Sequence, residues 1–166
     1  FHYKSLIQEG KIKVRIGVLR LINELSNFDV EQFIVTTSGR DSLEPFLQTS
    51  LTSHLNCFSE IITYEDVSKH KPFPDAYLLA LQLCKSSADN CIAIEDSMIG
   101  VEAAKAAKLN CLLTLPPWIS TAKNITRKAN SCVDSLGNVD KPSNLIYGNK
   151  LSSNIVDFEY LTNIIN

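Results

Sequence analysis

Residues 91–109 read CIAIEDSMIGVEAAKAAKL. Four apolar residues, Cys91–Ile94, run directly into two adjacent acids, Glu95 and Asp96, and then Ser97. A continuous apolar run without alternation suits a strand buried on both faces of a parallel sheet. Met98–Lys108 is rich in alanine, the strongest helix former, and its small side chains let a sheet approach closely. The stretch therefore reads as strand, turn and helix, the repeating unit of an α/β domain.

Working outward, the same grammar recurs. Gln32–Thr37 (QFIVTT), Ser59–Thr63 (SEIIT), Cys111–Leu115 (CLLTL) and, more weakly, Asn130–Asp134 read as further strands. Between them Val18–Ser26 places Val18, Leu21, Ile22 and Leu25 on one helical face. Asp41 followed by Glu44 resembles a capping box ahead of a helix that runs to about Leu51. Pro74 suits the first turn of a helix over Asp75–Cys84, with Tyr77, Leu78, Leu81 and Cys84 turned inward. Phe1–Gln8 reads as helical and Glu9–Ile16 as a charged connector ending at Gly17. Lys141–Asn154, rich in Asn, Ser, Gly and Pro, reads as a loop, and Ile155, Phe158, Leu161 and Ile165 share a final helical stripe. Alternating strands and helices predict an α/β fold around a doubly wound, mostly parallel sheet.

Composition sets the outer bounds. The chain has 166 residues, 45% hydrophobic and 20% charged, with a net charge of -2. That is the size and balance of one globular domain with a real core, and it excludes global disorder. The slight negative charge argues against a nucleic-acid partner, and no apolar run reaches the roughly 18 residues of a membrane span. Cys57, Cys84, Cys91, Cys111 and Cys132 form no CxxC pair, which suits reduced packing cysteines in a cytoplasmic protein. A plastid stroma is the counterpart if the source is a plant.

Ligands of an open parallel sheet bind beyond the carboxyl ends of its strands. Three polar clusters fall there. Thr36-Thr37-Ser38-Gly39-Arg40 follows the first strand, and its hydroxyls and freed N–H groups can hold phosphate oxygens. Ser and Thr also favour such turns for purely local reasons. Glu95 and Asp96 follow the Cys91–Ile94 strand and offer hard oxygen ligands of the kind Mg2+ prefers. Acids before a helix also answer its dipole, although that does not require two of them against an apolar strand. Lys71, stiffened within His70-Lys71-Pro72-Phe73-Pro74-Asp75, can place an ammonium where negative charge accumulates. Together the three describe a Mg2+-dependent phosphoryl-transfer site.

The segments FIVTTSGR (33–40), HKPFPDAYLLA (70–80) and IAIEDSMIGVEAAKAAKL (92–109) resemble the haloacid dehalogenase-like (HAD) hydrolase superfamily, in its CbbY-like and β-phosphoglucomutase-like branch. VRIGVLRLINEL (14–25) resembles the connector and first helix after that family's cap, and the stretch 114–138 resembles the CbbY C-terminal region. The resemblance implies a Rossmann-like core over residues 15–166, a cap end and linker over 1–14, and a C-terminal loop and helix over 141–166. It implies Thr36 and Lys71 as catalytic residues, with Thr36 bonding the transferring phosphoryl group. Thr37 would give its N–H to phosphate, and Ser38 and Arg40 would reach the distal part of a phosphorylated sugar. Glu95 and Asp96 would hold Mg2+. Ile16 stands where the family usually has proline, and Gly39 replaces a polar residue.

One expected motif does not occur. The family's nucleophile and acid/base are the aspartates of a DxD motif, and no DxD stands in this sequence. The expectation that follows is a chain lacking the nucleophile strand and most of the helical cap, and inactive alone. The resemblance implies a phosphatase of phosphorylated sugars, of the xylulose-1,5-bisphosphate type, working through an aspartyl-phosphate. A phosphosugar mutase is the near alternative. A non-catalytic remnant that retains phosphate and metal sites is the alternative of another class.

Overall fold

The structure is a computed structural model, and it describes residues 6–7, 12–116 and 128–166. The expected helix over Phe1–Gln8 therefore lies outside the described residues, apart from Leu6 and Ile7; Ile7 is buried.

Among the described residues five helices of eight residues or more and six strands follow one another along the chain. Helix α1 spans Val18–Asn27, α2 Arg40–Ser50, α3 Asp75–Cys84, α4 Met98–Ala106 and α5 Phe158–Ile165. Strand β1 spans Phe33–Val35, β2 Glu60–Ile62, β3 Ile92–Glu95, β4 Asn110–Thr114, β5 Ser131–Val133 and β6 Leu145–Tyr147. Short 3-10 turns over Thr52–Cys57, Tyr64–Asp66 and Ala88–Asn90 complete the connections.

The strands form two sheets. β1 pairs parallel with β2, with Ile34 opposite Ile61. β3, β4 and β5 pair parallel in that order, with Ile94 opposite Leu112 and Leu113 opposite Cys132. β6 closes this second sheet as an antiparallel edge. The α/β expectation holds, and the sheet is mixed. The strand within Lys141–Asn154 corrects the expected loop. β6 is three residues long, exposed throughout and flanked by Asn, Ser and Gly, so it carries no burial pattern to read.

Two apolar layers flank the second sheet. On one side Val101, Ala103, Ala104 and Ala107 of the α4 region pack with Ala93, Cys111, Leu113 and Cys132. The alanines keep the helix close to the strands. On the other side Leu21 and Leu25 of α1 meet Leu112, Val133, Val156, Tyr160, Leu161 and Ile164. Burial pushes the Cys111 thiol up to about 12 and Cys132 up to about 11, so both behave as packing residues.

Three local expectations need correction. The cap of α2 is Gly39 rather than Asp41, which lies in the first turn and serves its dipole. The capping box stands instead at Thr63 and Asp66. Leu78 is exposed; Ala76 and Tyr77 are the buried residues of α3. The last helix begins at Phe158 and buries Tyr160, Leu161 and Ile164, so Ile155 precedes it.

The connector before α1 is anchored more firmly than its charge suggests. The Arg15 guanidinium donates to Thr114 O (3.0 Å), Thr114 Oγ1 (2.8 Å), Leu115 O (2.7 Å) and Asp134 O (3.1 Å). It thereby ties the connector to the carboxyl ends of β4 and β5. Gly17 follows in the left-handed region at φ 86°, where a Cβ would come within 2.5 Å of Gly137 O.

Candidate functional site

All five parallel strands point their carboxyl ends to one edge, and the polar clusters emerge there. β3 ends on Glu95, whose side chain is only 7% exposed. A buried carboxylate needs partners, and Glu95 has several. Lys71 Nζ, itself 8% exposed, lies 2.5 Å from Glu95 Oε1. The Tyr77 hydroxyl donates to the same oxygen. Lys71 also donates to Val35 O at 3.0 Å, which joins the Lys71 loop to the end of β1. Ser97 Oγ lies 3.4 Å from Glu95 Oε2.

Local sequence explains how each group arrives. Lys71 precedes two prolines and the start of α3, so its backbone is restrained. Tyr77 is the third residue of α3 and lies on its buried side. Burial, then the Glu95 carboxylate, pushes the Tyr77 phenol far above its usual value, so it stays a donor. Ser97 caps α4 by accepting from the Gly100 N–H at 3.2 Å. Gly100 has a spatial reason: a Cβ there would fall 1.8 Å from Glu95 Oε2. The glycine is the floor on which that carboxylate rests.

Thr36 sits at the end of β1, where its N–H bonds Ile62 O at 2.9 Å and its Oγ1 accepts from the Ser38 N–H at 3.0 Å. Thr36, Thr37, Lys71, Glu95, Asp96 and Ser97 all line one cavity of about 810 Å³. The same cavity continues between β1 and β3, reaching Phe33, Ile34, Val35, Ile92, Ala93 and Ile94. Both strands face it with a side that has no strand partner among the described residues.

The structure does not bring Arg40 into this group. Its guanidinium turns to a smaller, separate pocket, where Nη2 donates to Asp66 Oδ1 (2.7 Å) and Oδ2 (2.8 Å). The Thr63 N–H and hydroxyl, then Arg40, pull Asp66 down to about 2. Ser38 stays on the exposed turn, with its carbonyl facing Tyr64 N at 3.5 Å. Tyr77 and Gly100 were not singled out from sequence as site residues. Tyr77 reads there as one more inward residue of α3, and Gly100 is visible only as part of the segment IAIEDSMIGVEAAKAAKL.

The donor set fits Mg2+ in kind, since the two adjacent carboxylates that line the cavity are hard oxygen ligands. Asp96 is exposed on that cavity. No cluster of three or more His, Cys, Asp or Glu occurs among the described residues, so phosphate oxygens and water would have to complete a coordination shell. No helix among the described residues is long and apolar enough to cross a membrane.

Comparison with known proteins identifies the family. Residues 2–114 match the family described as Haloacid dehalogenase-like hydrolase. The plasmid-encoded protein CbbY of Cupriavidus necator is 31% identical over 142 residues, covering 85% of this chain and 55% of that protein. The bifunctional riboflavin kinase/FMN phosphatase of Arabidopsis thaliana is 34% identical over 132 residues, covering 76% of this chain and 34% of that one. A crystal structure of CbbY from Rhodobacter sphaeroides, a mutant in complex with xylulose-(1,5)bisphosphate, superposes with TM-score 0.70 at 28% identity. That match covers 82% of this chain and 62% of that one. The chain thus spans between about a third and somewhat over half the length of these curated relatives.

Proposed function

The chain belongs to the haloacid dehalogenase-like hydrolases, and from that premise we propose that it forms the core of a Mg2+-dependent phosphatase of phosphorylated sugars. The observation that carries the reading is the convergence of Thr36, Thr37, Lys71, Glu95 and Asp96 on one cavity from three separate loops. A hydroxyl, an ammonium and two carboxylates at one sheet edge are the groups a phosphoryl site needs. The similarity to CbbY, which binds xylulose-(1,5)bisphosphate in the Rhodobacter protein, supports a phosphosugar.

In this reading the Thr36 hydroxyl and the Thr37 N–H hold phosphoryl oxygens. Lys71 offsets the charge that gathers on the phosphoryl group and its attacking carboxylate. Glu95 and Asp96 would hold Mg2+, which supplies further charge neutralisation when bound.

The attacking carboxylate is proposed to come from a strand seated between β1 and β3. Two facts support this: among the described residues both strands present unpaired inner edges, and the intervening space is lined by their apolar residues. A parallel strand there would join both sheets into one and end beside Lys71. Without such a strand the 166-residue chain is expected to show no turnover.

The test is a panel of mono- and bisphosphorylated sugars assayed with Mg2+ on a protein that includes a strand ending in DxD. Asp96→Asn should lower Mg2+-dependent turnover about 100-fold or more with unchanged thermal unfolding. Unchanged turnover would remove Asp96 from the site.

A further inference from the structure

Resting on the phosphatase reading, we infer that Arg15, acting through the Thr114 hydroxyl, is a positioning residue that fixes the Glu95–Asp96 turn for Mg2+.

The partners of Arg15 are all neutral oxygens. Nη1 donates to Thr114 O and Thr114 Oγ1, and Nη2 donates to Leu115 O and Asp134 O. Asp134 offers only its main-chain oxygen here, because its carboxylate accepts from Asn144. The guanidinium fork is thus matched to the spacing of the β4 and β5 ends rather than to an opposite charge. Its origin is fixed as well. Two residues on, Gly17 adopts φ 86° and leaves a Cβ only 2.5 Å from Gly137 O, so the connector is seated against the core.

The Thr114 hydroxyl carries this brace to the next strand. Thr114 is 6% exposed. A guanidinium can only donate, so the hydroxyl must accept from Arg15, and its own proton is left for an acceptor on its other side. That acceptor is Glu95 O, at 3.3 Å. Glu95 stands opposite Leu113 at the last registered pair of β3 and β4, and Thr114 follows just beyond it. The carbonyl it holds belongs to the planar peptide that joins Glu95 to Asp96. Fixing that plane fixes the directions in which both side chains leave the chain.

The two acids need this to different degrees. The Glu95 side chain is already held by Lys71 and Tyr77. Asp96 is exposed on the cavity, and its direction follows from the peptide that carries it. Arg15 and Thr114 line the same cavity as Thr36, Lys71, Glu95 and Asp96, so the brace reaches the site itself. Groups one shell outside a metal commonly change its affinity by about 10–100-fold, because they orient the ligands that touch it.

The experiment titrates Mg2+ alone into the full-length protein by calorimetry and follows thermal unfolding of each variant. Thr114→Val keeps the side-chain shape and removes the hydroxyl, while the Arg15 bonds to three main-chain oxygens stay. It should weaken Mg2+ binding about tenfold. Thr114→Ser restores the hydroxyl and should restore wild-type affinity. A brace that serves stability alone would lower the unfolding temperature of Thr114→Val and leave Mg2+ affinity unchanged, and that result overturns the inference. A serine variant as weak as the valine one overturns it too. Arg15→Lys keeps the charge but has too few donors for four acceptors. It should show a similar loss of about tenfold, and it decides the matter if Thr114→Val does not fold. Wild-type affinity in Arg15→Lys overturns the inference and leaves the phosphatase reading in place. A wild type that binds no Mg2+ overturns the Mg2+-dependent reading, and the inference with it.

Discussion

Two ion pairs stand within one sheet edge and differ in almost every physical respect. Lys71 and Glu95 are 8% and 7% exposed. Arg40 and Asp66 are 57% and 28% exposed. The first pair adds Tyr77, the Val35 carbonyl and a glycine floor, so its charges are largely buried. The second pair stands in water and shares Asp66 with Thr63. Burial makes the inner pair costly to break, because a lone charge is left without solvent. Exposure makes the outer pair cheap, because water replaces whichever partner leaves. The inner pair therefore behaves as chemistry-bearing structure and the outer one as a brace on the hydroxyl turn.

Removing one inner partner gives the largest expected effect. Lys71→Met leaves Glu95 buried without its ammonium and should cost about 3 kcal/mol of stability in urea unfolding. A loss below about 1 kcal/mol would place the pair in the same energetic class as the exposed one. Tyr77→Phe is subtler, since the ring stays and only the hydroxyl donor goes. It should cost about 1–2 kcal/mol, as expected when a buried carboxylate loses one bond. A neutral outcome would mean that Lys71 alone satisfies Glu95.

The outer pair gives the smallest effect. Asp66→Asn should cost about 1 kcal/mol or less, mostly through the weakened cap at Thr63. Its pH behaviour is more diagnostic. The folded Asp66 titrates at about 2, below its ordinary 3.8. Its contribution is therefore present above about pH 4 and is lost as pH falls through about 2. Acid titration of unfolding should show that loss in the wild type and a flatter profile in Asp66→Asn. Identical acid profiles would show that Asp66 is no more stabilised in the fold than in the open chain.

Much of this was legible in the chain. Short apolar runs bounded by polar residues located β1 to β5 within a residue or two, most plainly at β4, where four of five residues are buried. The same logic brought Thr36, Lys71, Glu95 and Asp96 to one edge. β6 escaped because an exposed three-residue edge carries no pattern. Tyr77 escaped because its role depends on a carboxylate 18 positions away. Arg40 follows the hydroxyl turn directly in sequence, yet a charge 26 positions distant turns it aside. A guanidinium on a long stem goes to the nearest well-placed acid, and only the fold decides which acid that is.

The sequence by itself determined the α/β alternation, the family and which residue types meet at the carboxyl edge, since those follow from local periodicity and motif spacing. Only the tertiary structure decided the pairing of charges, the open inner edges of β1 and β3, and the glycine beneath Glu95. Those depend on which groups lose water together, and desolvation is a property of packing rather than of order along the chain.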